Sequence, residues 1–326
     1  MGETILLVQV DRGGPRAAIL EGEGIAPIEP GIAVLDLARR ALRENATLAE
    51  AAGAMRRGPR EALPERFLPP VTHPEPARLH ATGTGLTHLG SAAARDAMHQ
   101  APQAAETDSM RMFRMGVEGG RPEGEAVGVQ PEWFWKGNGL TVAGSGHDLV
   151  SPAFALDAGE EPEIAGIYLV GEDGAPHRLG FALANEFSDH VTERGNYLWL
   201  AHSKIRPFGL GPALRTGELP ADVRGTSRIL RDGRELWAAP FLTGEANMSH
   251  SLANLEHHHF KHGLHRRPGD LHVHMFGTAT LSVAAGVSTR DGDLFEIAAE
   301  GFGPPLRNRL RVEGPQPTRR VAARAL

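Results

Sequence analysis

The chain has 326 residues, which suits one large domain or a small domain beside a larger one. Its 41% apolar content supports an ordinary core, and a net charge of -6, spread along the chain, argues against nucleic-acid binding. The absence of cysteine excludes disulfides, thiolate nucleophiles, iron–sulfur ligation and cysteine-based zinc sites.

The first ten residues, MGETILLVQV, read as a strand that begins almost at once. They carry no basic stretch and no small-residue cleavage site, so they do not read as a signal peptide. No window offers the ~18 apolar residues of a membrane span. The expectation is a soluble cytoplasmic protein with no membrane partner.

Two further short strands, RAAILEG and GIAPIE, follow across glycine-rich turns. Apolar residues at Ile32, Val34, Leu35, Leu37, Ala38, Leu42, Leu48 and Ala52 then recur at helical spacing, in two pieces. Together they predict a small α/β N-terminal unit over 1–72. A proline-rich linker occupies 73–80, within LPPVTHPEPARLH. The stretch GSAAARDAMHQAPQAAETDSMRMFRMG predicts helix, with Ser91 as N-cap. From residue 125 the text is mostly strands and turns, interrupted by one helix around SLANLEHHHFKHG. The fold class is therefore mixed α/β and β-rich, with a rolled or barrel-like sheet forming a body over 81–313. The end, 314–326, is proline-rich, then basic, and reads as a flexible tail.

Three acidic residues stand out. Glu161 and Glu163 are two apart at the start of an apolar run, so on a strand they share a face. Glu186 ends the next apolar segment, after the GEDGAPH turn, where a hairpin brings it alongside. Adjacent carboxylates repel unless a cation or proton lies between them, and oxygen ligands suit hard divalent cations. Spacing alone favours the simpler reading, a solvated strand end with three surface carboxylates.

The histidine-rich stretch NLEHHHFKHGLHRRPGDLHVHMFG is the rival site. His258 and His262 lie one helical turn apart, a zinc-chelating spacing. His272 and His274 share a strand face and faintly resemble the cupin metal motif. No His-Glu-x-x-His accompanies them, and the simpler reading is of helix-surface and packing histidines. GTGLTHLG and GSGHDLVSP match no phosphate-loop or dinucleotide pattern, and GEANMSHS no nucleophile elbow.

The order of the pieces adds a resemblance. PEWFWKGNGLTVAGSGHDLVSP, EEPEIAGIYLVG, LGFALANEFSDH, HSKIRPFGLGP, GDLHVHMFGTATLS and DGDLFEIAAEGFGPPLRNRL follow one another as in the fumarylacetoacetate hydrolase superfamily. The resemblance covers about residues 80 to 312, and the N-terminal unit also looks like one that many members carry. It implies a β-roll in which Glu161, Glu163 and Glu186 bind Mg²⁺ or Mn²⁺. The family has Asp where this chain has Glu186. Asp189 matches the following acid, which stands behind the metal ligands, and Lys204 the active-site lysine; these two are the candidate catalytic residues. Gly277 and Thr278 match a turn that contacts the bound keto acid, with Ala279 in place of its proline. A homodimer is common among look-alikes.

Hydrolytic members carry a His and, three residues later, a Glu that activate water. Ungapped, Ser91 and Ala94 occupy those positions here, with His88 at the family's tyrosine. The chain therefore looks closer to the sugar-acid dehydratases of pentose catabolism, the L-arabinose type among them. The implied reaction takes a 2-keto-3-deoxy-pentonate, such as 2-keto-3-deoxy-arabinonate, to 2,5-dioxopentanoate. A C3 proton leaves, the metal stabilises the enolate, the C4 hydroxyl is lost with it as water, and the resulting enol rearranges to the C5 aldehyde. Lys204 is then the base or a cation beside the enolate, and His88 and Arg95 are candidates for the distal hydroxyls. Two alternatives stay open: a 2,4-diketo acid hydrolase or decarboxylase using His88, and a non-catalytic keto-acid binding protein.

Overall fold

Alternating apolar residues near the N-terminus fold as an antiparallel meander of Leu6–Asp11, Pro15–Glu21 and Gly24–Glu29. The computed structural model describes residues 4–90, 107–314 and 320–326. The helical pattern after the meander forms two pieces, Val34–Glu44 and Leu48–Gly53. The break has a local cause: Asn45 adopts a left-handed conformation (φ 51°) and ends the first helix. Thr47 and Glu50 then close a reciprocal capping box that starts the second. The first helix buries Val34, Leu35, Leu37, Ala38 and Ala41.

These elements continue into the larger sheet. Leu6–Asp11 pairs with Ala213–Arg215 at Val8↔Ala213. Across that sheet the order continues through Pro176–Asn185, Pro162–Val170, Leu271–Met275 and Leu79–Gly83 to Phe134–Asn138. A second, five-stranded sheet is ordered Arg234–Thr243, Val223–Arg231, Leu294–Ala299, Leu306–Val312, Asp148–Ser151. Neither sheet closes on itself, so the expected roll is made of open sheets. The molecule is strand-rich, mixed α/β, with few helices.

Pro162–Val170 is buried at every residue, which accounts for its unbroken apolar run. Ala165, Ile167 and Leu169 belong to the core cluster that also takes in the buried face of the first helix. Ile164 packs with Phe181, Phe276 and Ile297 between the sheets. Its hairpin partner aligns Glu163 with Ala184 and Pro162 with Asn185. That register places residues 161–163 beside 184–186 at one end of the hairpin.

The stretch expected as helix from Ser91 is helical over Asp108–Gly119, where Thr107 caps Met110 N–H; Ser91 and residues up to 106 lie outside the described residues. The histidine-bearing helix is Leu252–Phe260, capped by Ser251. Residues 320–326 form no helix or strand. No helix among the described residues is long and apolar enough to cross a membrane.

Candidate active site

Glu161, Glu163 and Glu186 come together as the hairpin register requires. One carboxylate oxygen from each lies within 4.8 Å of the others, and all three residues are buried. The backbone secures the junction: Glu186 N–H donates to Glu161 O at 3.0 Å. Asn185 Oδ1 accepts from Glu161 N–H at 3.2 Å. Glu163 Oε2 accepts from Gly277 N–H at 2.7 Å. Glu163 Oε1 is buried with no hydrogen-bond partner among the described residues. Such an orphaned oxygen is costly unless something completes it. An all-oxygen trio with one orphaned atom fits a hard divalent cation, and these three residues would hold it.

Two buried lysines balance the acids. Lys204, from the Leu200–Lys204 helix, donates to Glu161 and, at 3.1 Å, to Glu186 Oε2. Glu193 Oε2 is 3.9 Å from the same amine. Lys136, on Phe134–Asn138, donates to Phe187 O and to Lys204 O, the latter at 2.7 Å. It stands 3.5 Å from Glu186 Oε1.

The acidities follow from this crowding. Burial, with Glu186 and Glu161 as like charges, pushes Glu163 well above the ordinary carboxylate range. Burial and the Glu161 charge raise Glu186 to about 7, although Lys204 and Lys136 oppose the rise. Glu161 is also buried, but Lys204 and His190 outweigh that and hold it low. Burial lowers Lys136 to about 8, against the pull of Glu186. Burial would lower Lys204 too, but Glu161, Glu186 and Glu193 overcome it and raise it. Three carboxyls here compete for few positive charges, which is the condition that favours a bound cation.

His190 lies between two carboxylates, with Nε2 3.0 Å from Glu161 Oε1 and Nδ1 3.3 Å from Asp157 Oδ2. Burial opposes its protonation, but these two bonds raise it to about 10. Asp189 is neither in the clustered trio nor among the residues lining the pocket. Its carboxylate accepts from Thr192 N–H, Leu156 N–H and Arg206 Nη2, at 2.9 to 3.0 Å, and so starts the short helix His190–Gly195.

The pocket beside the trio is also lined by Thr84, Phe134, Gly277, Thr278 and Leu281. Gly277 has φ +90°, and a Cβ there would fall 2.5 Å from Thr87 Oγ1 and 2.8 Å from Thr84 O. Only glycine brings its N–H to Glu163 in this way. His88 is not among the lining residues. It is fully buried, with Nε2 2.8 Å from Thr243 Oγ1, and burial lowers it to about 3. Arg95 and Ala94 lie outside the described residues.

The histidines form a packed cluster. His259 stacks on His265 and His274 with ring centroids 4.3 and 4.4 Å apart. Its Nε2 is 3.0 Å from His272 Nδ1. His258 is engaged with Gly128 O at 2.9 Å. Among the described residues, the glutamates alone gather three ligand atoms of the metal-binding kind this closely.

Sequence reading missed Lys136, His190, Glu193 and Thr84. Lys136 left a signal: Phe134 and Lys136 alternate on one face of FWKGN, an unusual place for a lysine unless it has a partner inside. His190 and Glu193 left none, because a six-residue helix has too few turns to show a face.

No family model matches the sequence, and no curated protein does. Solved structures do match. The apo form of 2-keto-3-deoxy-D-arabinonate dehydratase aligns over 96% of this chain and 100% of its own, with TM-score 0.68 and 18% identity. The same dehydratase complexed with magnesium and 2,5-dioxopentanoate aligns over 95% and 99%, with TM-score 0.66 and 18% identity. A fumarylacetoacetate hydrolase from psychrophilic Exiguobacterium antarcticum aligns over 95% and 100%, with TM-score 0.61 and 15% identity. The chain therefore has the fold of the fumarylacetoacetate hydrolase superfamily.

Proposed function

We propose that this protein is a divalent-metal-dependent hydro-lyase that takes a 2-keto-3-deoxy-pentonate to 2,5-dioxopentanoate. The observation that carries the reading is the trio of buried glutamates with Lys204 beside it, in one pocket walled by Thr278. A solved neighbour of this fold is complexed with magnesium and 2,5-dioxopentanoate. Mg²⁺ or Mn²⁺, a homodimer and a cytoplasmic setting belong to the same reading.

Glu161, Glu163 and Glu186 would hold the cation, which when bound supplies Lewis-acid stabilisation of an enolate. Glu163 keeps one oxygen on Gly277 N–H and presents the other to the site. Lys204 would meet the C3 proton, because its amine lies at the trio; were Glu161 and Glu186 to hold a cation, two of the three carboxylates that keep it protonated would be engaged elsewhere, leaving Glu193. Lys136 holds Glu186 and the carbonyl of Lys204 together, so the base and the third ligand move as one unit. Thr278, in the lining of the same pocket, would contact the keto acid.

The hydrolytic alternative needs a group to activate water. His88, its candidate, is bonded to Thr243 and lies outside the pocket lining, which supports dehydration instead. The test is a panel of 2-keto-3-deoxy acids incubated with Mg²⁺, with products read by mass. Loss of one water with all carbons retained is the expected result. Carbon fragments would mark hydrolysis, and absence of turnover would mark a binding protein.

A further inference from the structure

Glu160, immediately before the first proposed ligand, is fully buried. Both its oxygens are bonded to one residue: Ser282 N–H donates to Oε1 at 3.0 Å and Ser282 Oγ–H to Oε2 at 2.6 Å. No lysine or arginine pairs with it among the described residues. Ser282 is itself buried and follows Leu281, which with Thr278 walls the pocket. At the other end of that wall, Gly277 N–H is bonded to Glu163. Thr278 to Leu281 is thus held at both ends by glutamates from one stretch of chain, residues 160–163. A third tie lies just before that stretch, where Thr289 Oγ–H donates to Ala158 O at 2.6 Å.

We infer that Glu160 is a positioning residue that fixes the Thr278–Leu281 wall against the glutamate trio and so sets how tightly the keto acid is held. Glu163 has a second task at the trio, but Glu160 is not one of the clustered ligands. Two hydrogen bonds to one serine leave the wall a single placement. Without them the wall keeps the Gly277 N–H bond to Glu163 and the Thr280 Oγ–H bond to Pro240 O but loses its hold at the Ser282 end. The inference rests on the proposed keto-acid chemistry for its kinetic readout, but not for its structural one.

The experiment compares Glu160→Gln, Glu160→Leu and Ser282→Ala with the wild type. Gln keeps a group that accepts from Ser282 N–H and one that donates to Ser282 Oγ, whereas Leu keeps only the volume. Three quantities are read: kinetics on the keto acid, Mg²⁺ affinity by calorimetry, and hydrogen exchange of amides 278–287. Glu160→Leu and Ser282→Ala should raise KM about tenfold, with kcat within about threefold. Mg²⁺ affinity should not change, the 278–287 amides should exchange faster, and Glu160→Gln should restore wild-type KM. Unchanged KM and unchanged exchange in Ser282→Ala would overturn the inference, as would loss of Mg²⁺ affinity in step with KM. If Glu160→Leu does not fold, Ser282→Ala decides. If the wild type turns over no keto acid, the proposed function fails, while the exchange measurement still tests the latch.

Discussion

Glu163 and Gly277 are joined across the pocket: Gly277 N–H donates to Glu163 Oε2 at 2.7 Å, while Oε1 is buried without a partner among the described residues. One oxygen is therefore held by the fold and the other is presented to the glutamate trio. Glu163→Gln keeps the volume and the Gly277 bond but removes an anionic ligand. It should lose most of the Mg²⁺ affinity measured by calorimetry. His272→Ala should leave the metal content as it is, because His272 Nδ1 faces His259 in the histidine cluster. Wild-type metal content in Glu163→Gln would remove it from the site.

Gly277→Ala tests the same contact from the other side. The added Cβ meets Thr87 Oγ1 at 2.5 Å and the Thr84 backbone oxygen at 2.8 Å, at a backbone φ of +90°. Backbone cannot move aside as a flexible side chain can. The variant should lose about 1–3 kcal/mol of stability in denaturant unfolding, with Mg²⁺ binding weakened as Glu163 loses its tether. Wild-type stability would show that the turn relaxes freely.

Glu186 carries one more carbon than the Asp its position resembles, and Lys136 and Lys204 approach it from two sides. Glu186→Asp should retain partial activity, since a carboxylate remains on the same stretch. Glu186→Ala should retain none, and it leaves two buried ammonium groups with less compensation. Equal activity in the two variants would place Glu186 outside the ligand set.

Lys204→Met should lower kcat by about 10²–10³, the typical cost of losing one preorganised group that acts on the transition state. Pyruvate, a truncated keto acid, should still bind in the presence of Mg²⁺. Exchange of its methyl protons with D₂O separates the roles. Exchange abolished in the variant marks Lys204 as the C3 base. Exchange at the wild-type rate with dehydration lost would move Lys204 to the C4 hydroxyl instead.

The acidity of the trio sets a pH dependence. Burial and the Glu161 charge raise Glu186 to about 7, and Glu163 is raised well above the usual range. Below that point these carboxyls hold protons, and a proton competes with the cation for the same oxygens. Mg²⁺ affinity should therefore fall as pH drops through 7 toward 5, by about tenfold per pH unit for each proton displaced. Binding should also release protons, seen as a buffer-dependent heat. A flat affinity over that range would mean that the trio is already ionised without metal.

Much of this protein is legible in its chain. The period-two spacing of Glu161 and Glu163 places them on one strand face, and the GEDGAPH turn brings Glu186 back beside them. Helical spacing after Gly31 gives the two N-terminal helices, because their break has a local cause at Asn45. These features rest on contacts between near neighbours. The partners of the site do not: Lys136 lies 50 residues from Glu186, and Gly277 lies 114 residues from Glu163. Only the register of the larger sheet brings them together. The contacts of Asp189 and His88 likewise arise only in three dimensions. Each is an isolated polar residue near a motif, and burial turns one into a helix cap and the other into a partner of Thr243. Sequence periodicity reports which face a residue takes, but the partner that completes a buried polar group is chosen by the tertiary fold.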